Sequence, residues 1–215
     1  MLPGRLMAKR TRQPGVVASP ENHVLWAVQI RMMLAFDETK ATQTAARFLK
    51  LAGAPMNYMA LIKLLYKADR EALRRWGLPI TTDKYVSIRR GPVTSRIYDR
   101  IKASASKNTQ PTIWSSYIYK TDVLSVGLAS DPGDSELSPA EERLIDEIFA
   151  VDGRRNRFDL VEDCHRDFPE WVDPGDSSIP LHISEIIEAL GLSESEAAFI
   201  ERQIEGQRAA YQLAV

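Results

Sequence analysis

The sequence contains a single cysteine, Cys164, among its 215 residues. One cysteine cannot form a disulfide within the chain, and such scarcity is typical of proteins that work in a reducing compartment. The three histidines, His23, His165 and His182, are too widely spaced to indicate a transition-metal site. We therefore expect a cytoplasmic protein that holds no metal ion or other cofactor.

Long apolar runs are also missing. No stretch approaches the roughly 18 uncharged apolar residues that a membrane-spanning helix needs. Residues 1–20 carry basic side chains without an apolar block after them, so they are unlike a secretory signal. We expect no membrane among the partners of this protein.

The common motifs of catalysis and nucleotide binding are absent. The chain has no GxGxxG or GxxxxGK[ST] loop for phosphate, no GxSxG nucleophile turn and no HExxH zinc motif. Glu38-Thr-Lys40 fits an E-x-K spacing found in some nucleases, but three-residue matches arise often by chance, and this one lies at a predicted helix start. We therefore expect that the protein is not an enzyme.

Charge is divided between the two halves of the chain. Up to residue 120 there are 21 Lys and Arg against 7 Asp and Glu, whereas from residue 121 onward there are 7 against 22. One interpretation is that the halves attract each other and pack into one domain. The other is a basic face for an acidic partner, either nucleic acid or a protein.

Helical periodicity dominates the sequence. Apolar stripes predict a helix over residues 20–36, a second that follows Asp37 and ends at Gly53, and a third that Asn57 caps and Gly77 ends. In the acidic half, capping boxes at residues 138–141 and 193–196 open two helices, and shorter helices cover residues 158–165 and 184–190.

Strand patterns are short. Tyr85–Arg90 alternates and predicts a strand that Gly91-Pro92 breaks, followed by a short helix with Val93 and Ile97 facing inward. Residues 112–119 and 122–129 predict a hairpin with its turn at Lys120-Thr121, and residues 173–180 predict a loop. The expected fold class is α+β, mainly α: a compact helical domain with a small antiparallel sheet of about three strands.

Asp69 and the adjacent pair Cys164 and His165 are the candidates for a catalytic role. Asp69 lies on the apolar stripe of its helix, where a carboxylate must be hydrogen-bonded or paired, and Tyr85, Arg89 or a backbone amide could be the donor. A general acid is the alternative role. Cys164 and His165 are adjacent on a helix and point about 100° apart, so we interpret them as a buried thiol beside a histidine that packs on Phe168 or Trp171.

Several short segments, in order, resemble the Panacea domain, the SocA-like antitoxin family. They are Lys63-Leu-Leu-Tyr66-Lys-Ala-Asp69, Gly77-Leu-Pro-Ile-Thr, Asp83-Lys-Tyr85, Arg90-Gly91-Pro92-Val93, Tyr98-Asp99, Glu136-Leu-Ser-Pro-Ala-Glu141, His165, Pro169-Glu-Trp171 and Ile179-Pro180. The resemblance covers the central part of the chain, which we expect to be a SocA-like domain over residues 38–192. Composition and periodicity predict a flexible basic tail (residues 1–19), an N-terminal helical extension (20–37) and a C-terminal helix packed on the domain (193–215).

The resemblance implies a non-catalytic role in a bacterial or phage toxin–antitoxin pair, including phage defence, by direct contact with a cognate toxin. SocA itself delivers its toxin to the ClpXP protease, so a ClpXP-type protease is a second implied partner. The family supplies no active-site residues, and the motif positions are interpreted as the signature of the fold. These positions are Lys63, Tyr66, Asp69, Tyr85, Gly91, Pro92, His165 and Trp171.

The basic half offers a candidate surface for the toxin near the predicted sheet edge, comprising Arg89, Arg90, Arg96 and Arg100. Two other classes of function stay open. A DNA-binding regulator of its own operon would use the tail from Arg5 to Arg12 and the basic helix before Gly77. An enzyme of unknown type would need a cleft that places Asp69 beside His165 or Cys164.

Overall fold

A computed structural model describes residues 36–103, 110–193, 195, 196, 198–200 and 202. The predicted helix over residues 20–36 falls outside this range apart from Phe36, as does most of the predicted terminal helix. The described elements, in chain order, are α1 (Glu38–Ala52), β1 (Met56–Asn57), α2 (Tyr58–Trp76), β2 (Tyr85–Ile88), β3 (Gly91–Thr94), α3 (Ser95–Ala103), α4 (Ile113–Tyr117), β4 (Ile118–Lys120), β5 (Ser125–Leu128), α5 (Pro139–Asp152), α6 (Arg157–Asp167), β6 (Ser178–Leu181) and α7 (Ile183–Ala189).

The two long helices of the basic half begin and end where the sequence predicts. The Asp37 carboxylate accepts the Lys40 amide at 3.0 Å, and the Asn57 side chain accepts the Met59 amide at 3.1 Å, so both N-termini have a side-chain cap. Gly53 and Gly77 end the helices in the left-handed conformation, with φ of 66° and 75°.

The predicted strand over residues 112–119 is wrong in its first part. The Thr112 and Ser115 side chains form a capping box, which satisfies free amides and starts the short helix α4. The strand begins only at Ile118, and β4 pairs with β5, which in turn pairs with β1. The first sheet therefore has the order β1-β5-β4 and is antiparallel throughout.

A second antiparallel sheet has the order β3-β2-β6 and corrects two further expectations. Gly91-Pro92 does not break the strand pattern, because the chain turns at Arg89-Arg90 and residues 91–94 return as β3, with Ile88 opposite Gly91. Val93 thus belongs to a strand and not to the following helix. Among the described residues β3 pairs only with β2, so Pro92 is tolerated because no ladder partner on the other side needs its missing N–H.

The third strand of this sheet, β6, lies partly within the predicted loop over residues 173–180. Its residues pair with β2 in the register Tyr85 opposite Leu181 and Ile88 opposite Ser178. Two small sheets therefore replace the single expected sheet, and the α+β, mainly α class is confirmed.

The acidic half is helical as predicted. The Ser138 capping box with Glu141 opens α5, and Asn156 caps α6 by accepting the Phe158 amide at 2.9 Å. At residue 193, the Ser193 amide donates to the Glu196 carboxylate at 2.7 Å, as the second capping box requires. No helix in the described part of the chain is both long and apolar enough to cross a membrane.

Helix α2 lies at the centre of the molecule. One apolar cluster joins it to α1, α3 and α5, and a second joins Tyr66 and Leu73 to α6, α7 and Ile200. Both faces of α2 are therefore covered, which explains why side chains on several sides of one helix are buried.

Candidate functional site: a motif core and an adjacent cleft

Asp69 is fully buried and accepts three hydrogen bonds. The Thr81 amide donates to it at 2.8 Å, the Thr81 hydroxyl at 2.5 Å and the Tyr85 hydroxyl at 2.9 Å. Arg89, the remaining candidate donor from the sequence, pairs with Asp176 instead. Burial raises the pKa of Asp69 to about 6, against the opposing effect of these hydrogen bonds. Asp69 therefore joins α2 to the loop before β2 and to β2 itself.

Tyr66 and Arg70 share a second buried carboxylate, Glu170. The Tyr66 hydroxyl donates to Glu170 at 2.8 Å and the Arg70 guanidinium at 2.7 Å. Arg70 and Glu170 are not among the residues predicted from the sequence. The spacing of Tyr66 and Arg70 on one helix face, together with an acid between Pro169 and Trp171, is the signal that could have identified this group.

His165 stacks on Trp171, with ring centroids 3.9 Å apart. The Trp171 indole N–H donates to the Ile88 carbonyl at 2.9 Å, which attaches the segment after α6 to the end of β2. Cys164 is fully buried, and burial raises the pKa of its thiol to about 11.

The side chains of the enzyme alternative are engaged by other partners in the part of the chain that the structure describes. Asp69 is bonded to Thr81 and Tyr85, whereas His165 is stacked on Trp171, and Cys164 keeps its proton at neutral pH. No group of three or more His, Cys, Asp or Glu residues is arranged to hold a metal ion within these described residues.

Lys63 is a buried cation beneath the β2–β3 hairpin. Its side chain is 1% exposed, and its ammonium donates to the Pro92 carbonyl at 2.7 Å. Gly91 has φ of 93°, and a Cβ at that position would lie 2.8 Å from Lys63 Nζ and 3.1 Å from Cys164 Cβ. A glycine is therefore required at position 91 for two reasons: the backbone conformation, and the space that Lys63 occupies.

These residues form what we call the motif core, which joins α2, the β2–β3 hairpin and the segment after α6. Its members include each residue predicted as part of the fold signature, and Arg70, Thr81 and Glu170 complete it. The full set is Lys63, Tyr66, Asp69, Arg70, Thr81, Tyr85, Gly91, Pro92, His165, Glu170 and Trp171.

A cleft of about 320 Å³ opens beside the motif core, and we call it the hairpin cleft. Its lining combines apolar and aromatic side chains with both arginines of the β2–β3 turn. The lining residues are Tyr58, Met59, Ile62, Lys63, Ile88, Arg89, Arg90, Val93, Tyr98, Gly175, Asp176 and Ser177.

The four candidate arginines do not form one surface. Arg89 and Arg90 are exposed and line the hairpin cleft. Arg100 instead donates to Glu38 at 3.0 and 3.2 Å, and the Arg96 guanidinium lies 5.0 Å from the centre of the Phe36 ring. On α3, Arg96 and Tyr98 differ by about 200° around the axis, so the former points away from the cleft that the latter lines.

Many charged side chains of the basic half form ion pairs with carboxylates of the acidic half. We call the contact between α1 and α2 on one side and the acidic half on the other the charge-paired interface. Its ion pairs are Lys40–Glu141, Arg47–Glu142, Arg47–Asp146, Lys50–Asp131, Lys67–Asp152, Lys67–Asp163, Arg70–Glu170 and Arg75–Glu147, with distances from 2.7 to 3.3 Å. The halves therefore pack together by opposite charge, as the first interpretation proposed.

The motif core lies within the part of the chain that a family model matches. A family model described as "Antitoxin SocA-like, Panacea domain" matches residues 61–172, more than half of the chain. The protein belongs to this family. Neither the curated proteins nor the solved structures contain a match to the chain.

Proposed function

We propose that this protein is a non-catalytic antitoxin-type module that neutralises a bacterial or phage-encoded toxin in the cytoplasm by direct contact. The observation that carries the proposal is the family match over residues 61–172. The motif residues support it, because the polar groups of Tyr66, Asp69 and Trp171 are engaged in internal hydrogen bonds.

The hairpin cleft is the surface that best suits toxin binding. Tyr, Met and Arg side chains are enriched at protein interfaces, and here Tyr58, Met59, Tyr98, Arg89 and Arg90 surround one concave site. Arg96 and Arg100 are engaged with Phe36 and Glu38, so we assign the contact to the hairpin arginines and not to α3.

DNA binding has less support than toxin binding. The helix that suggested it is α2, and its cations Lys67, Arg70 and Arg75 pair with carboxylates of the acidic half, while Arg74 pairs with Glu71. Paired cations contribute little to phosphate binding, because their charge is already neutralised. The basic tail from Arg5 to Arg12 lies outside the described residues.

Growth rescue tests the proposal. The gene adjacent to that of this protein is expressed with the wild type, with the double variant Arg89→Glu/Arg90→Glu, or with Arg143→Glu as the control. Arg143 is an exposed arginine of α5 that does not line the cleft. We expect a toxic neighbour that the wild type and the control silence and the double variant does not. Toxicity that persists with the wild type would contradict the proposal.

The same cultures distinguish occlusion from delivery to a ClpXP-type protease. If the protein only occludes its toxin, the toxin level on an immunoblot stays constant when the antitoxin is induced. If it delivers the toxin, the level falls, and it recovers in cells that lack the protease.

A further inference from the structure

Lys63 differs from the other cations of α2 in having no carboxylate partner in the described ranges. Its one hydrogen bond goes to the Pro92 carbonyl, which leaves two of its three N–H donors uncommitted. Lys67, one turn further along the same helix, instead contacts Asp152 at 2.8 Å and Asp163 at 3.3 Å. A buried ammonium without a counter-ion is costly, so its retention calls for an explanation.

The hairpin cleft borders Lys63, although only 1% of this residue is exposed. Lys63 contributes to the lining together with the apolar side chains of Ile62 and Val93, and Arg89 and Arg90 bring two further positive charges. Asp176 is the acid in this lining, and it is already within 3.3 Å of Arg89. The cleft therefore has a net positive charge.

We propose that the hairpin cleft binds the carboxylate of an aspartate or glutamate in an acidic segment of the toxin. The carboxylate pairs with Lys63 and Arg90, while apolar neighbours of that acid pack on Tyr58 and Tyr98. This inference rests on the proposed function and names the chemistry of its contact. It assigns Lys63 a role in partner binding in addition to its place in the fold.

The protonation of Lys63 suits this role. Burial lowers the pKa of its amine to about 8, so the group is still mostly an ammonium at pH 7. An incoming carboxylate would supply the missing counter-ion and form charge-assisted hydrogen bonds with the uncommitted donors.

A polypeptide suits the cleft better than a nucleic acid. A cleft of about 320 Å³ is at the small end of binding sites and has room for a few side chains. A carboxylate stands at the end of a narrow side chain and can reach a buried ammonium, whereas a backbone phosphate is flanked by sugars on both sides. The apolar lining from Met59, Ile62 and Val93 also favours the mixed apolar and acidic surface of a protein.

A double-mutant cycle on the intact complex tests the inference. The toxin from the rescue experiment is purified in an inactive form, and each of its surface Asp and Glu residues is changed singly to the amide. Dissociation constants are measured against the wild type, Arg90→Glu, Lys63→Met and the control Arg143→Glu. We expect Arg90→Glu and Lys63→Met to weaken binding about 30-fold or more and the control to leave it unchanged.

The cycle also identifies the acid. One toxin substitution should weaken wild-type binding by a similar factor and cause little further loss with Lys63→Met. Circular dichroism checks that Lys63→Met is folded, and the exposed Arg90→Glu serves if it is not. A toxin that binds the wild type, with no acid coupled to either cation, would overturn this inference and leave the proposed function standing. A toxin that does not bind at all would overturn both.

A competition experiment with a short single-stranded DNA tests whether the hairpin cleft binds phosphate instead. We expect it to leave the complex intact. If it displaces the toxin from the wild type but has no affinity for Arg90→Glu, the cleft is a phosphate site and the inference is wrong.

Discussion

The cations of the charge-paired interface and those of the hairpin cleft come from the same basic half of the chain, but they meet different surroundings. Lys67 and Arg70 contact carboxylates of α5, of α6 and of the segment after α6. Lys63 contacts a carbonyl, and Arg90 is exposed and forms no ion pair within the described residues. Positive charge thus holds the two halves together at one place and remains available to a partner at the other.

This difference separates stability from binding. Removing a member of the charge-paired interface leaves a counter-charge partly buried, which is costly to the folded state. Arg90 has no ion pair among the described residues, so removing it leaves no described carboxylate unpaired, and its loss is expected to appear in the affinity for a partner.

The largest effect on stability is expected from Glu170→Ala. Its side chain is fully buried between the Tyr66 hydroxyl and the Arg70 guanidinium, and its removal leaves both without their acceptor. We expect a loss of about 4 kcal/mol in the free energy of unfolding, measured in urea. The control is Glu162→Ala, an exposed acid on the neighbouring helix α6, with an expected change of at most about 0.5 kcal/mol. Equal losses would show that the buried carboxylate has no special role.

Asp69 and Asp163 are expected to respond to pH in opposite ways. The hydrogen bond from Arg155 holds the pKa of Asp163 far below its usual range, whereas burial raises the pKa of Asp69 from 3.8 to about 6. Between pH 4 and 6 folded Asp69 therefore keeps a proton that the unfolded chain has released, so its contribution to stability falls as the pH rises. The Asp163 contribution is present above pH 4 and is lost on acidification.

The variant Asp69→Asn tests the direction in which the Asp69 contribution to stability changes with pH, because the amide does not titrate. The measured quantity is the free energy of unfolding of the wild type minus that of the variant, obtained in urea at pH 4 and at pH 7. We expect this difference to be about 2 kcal/mol larger at pH 4. A difference that is the same at both pH values would show that burial does not raise the pKa of Asp69.

A smaller loss is expected from Gly91→Ala, which brings a methyl group to Lys63 Nζ. Gly133→Ala is the matched control, since Gly133 also has a positive φ of 75°, but no atom of the described residues lies within 4 Å of the place that a Cβ would take. We expect about 2 kcal/mol of destabilisation at Gly91 and about 1 kcal/mol at Gly133, measured by thermal unfolding. If the two variants lose the same amount, Lys63 does not need the space beside Gly91.

The smallest effect is expected from Asp176→Asn, which removes the acid from the hairpin cleft. The Arg89–Asp176 pair is exposed, so stability should change by less than about 0.5 kcal/mol. Affinity for the toxin should rise a few-fold, because the competing carboxylate is gone. The control Asp134→Asn, at an exposed position on another loop, should change neither quantity. A weaker complex with Asp176→Asn would mean that this acid contacts the toxin itself.

The helices could be predicted from the sequence because their signals are local. Asp37, Asn57 and Ser138 cap the amides a few residues ahead, and Gly53 and Gly77 end helices through their own backbone conformation. The burial of Asp69 also follows from its position on an apolar stripe. Such features need no knowledge of distant residues.

The strand at residues 85–88 and the β4–β5 pair could be predicted, but the third strand of each sheet and the cleft could not, because they depend on pairing between distant segments. β6 becomes a strand only when it meets β2, about ninety residues earlier in the chain, and its own sequence, with Pro180, is typical of a loop. The partners of Arg70 and Arg100 likewise lie far away in sequence. Charge alone groups Arg100 with Arg89, and the structure separates them.

The most direct test of a binding cleft for an acidic segment is a charge exchange across the complex. The toxin acid that couples to Arg90 is changed to lysine, and its dissociation constants are measured with the wild-type protein and with Arg90→Glu. We predict that the toxin variant binds the wild type at least tenfold more weakly than the native toxin does, and that Arg90→Glu restores much of this loss. Equal weakening with both proteins would contradict a direct contact between Arg90 and the toxin carboxylate.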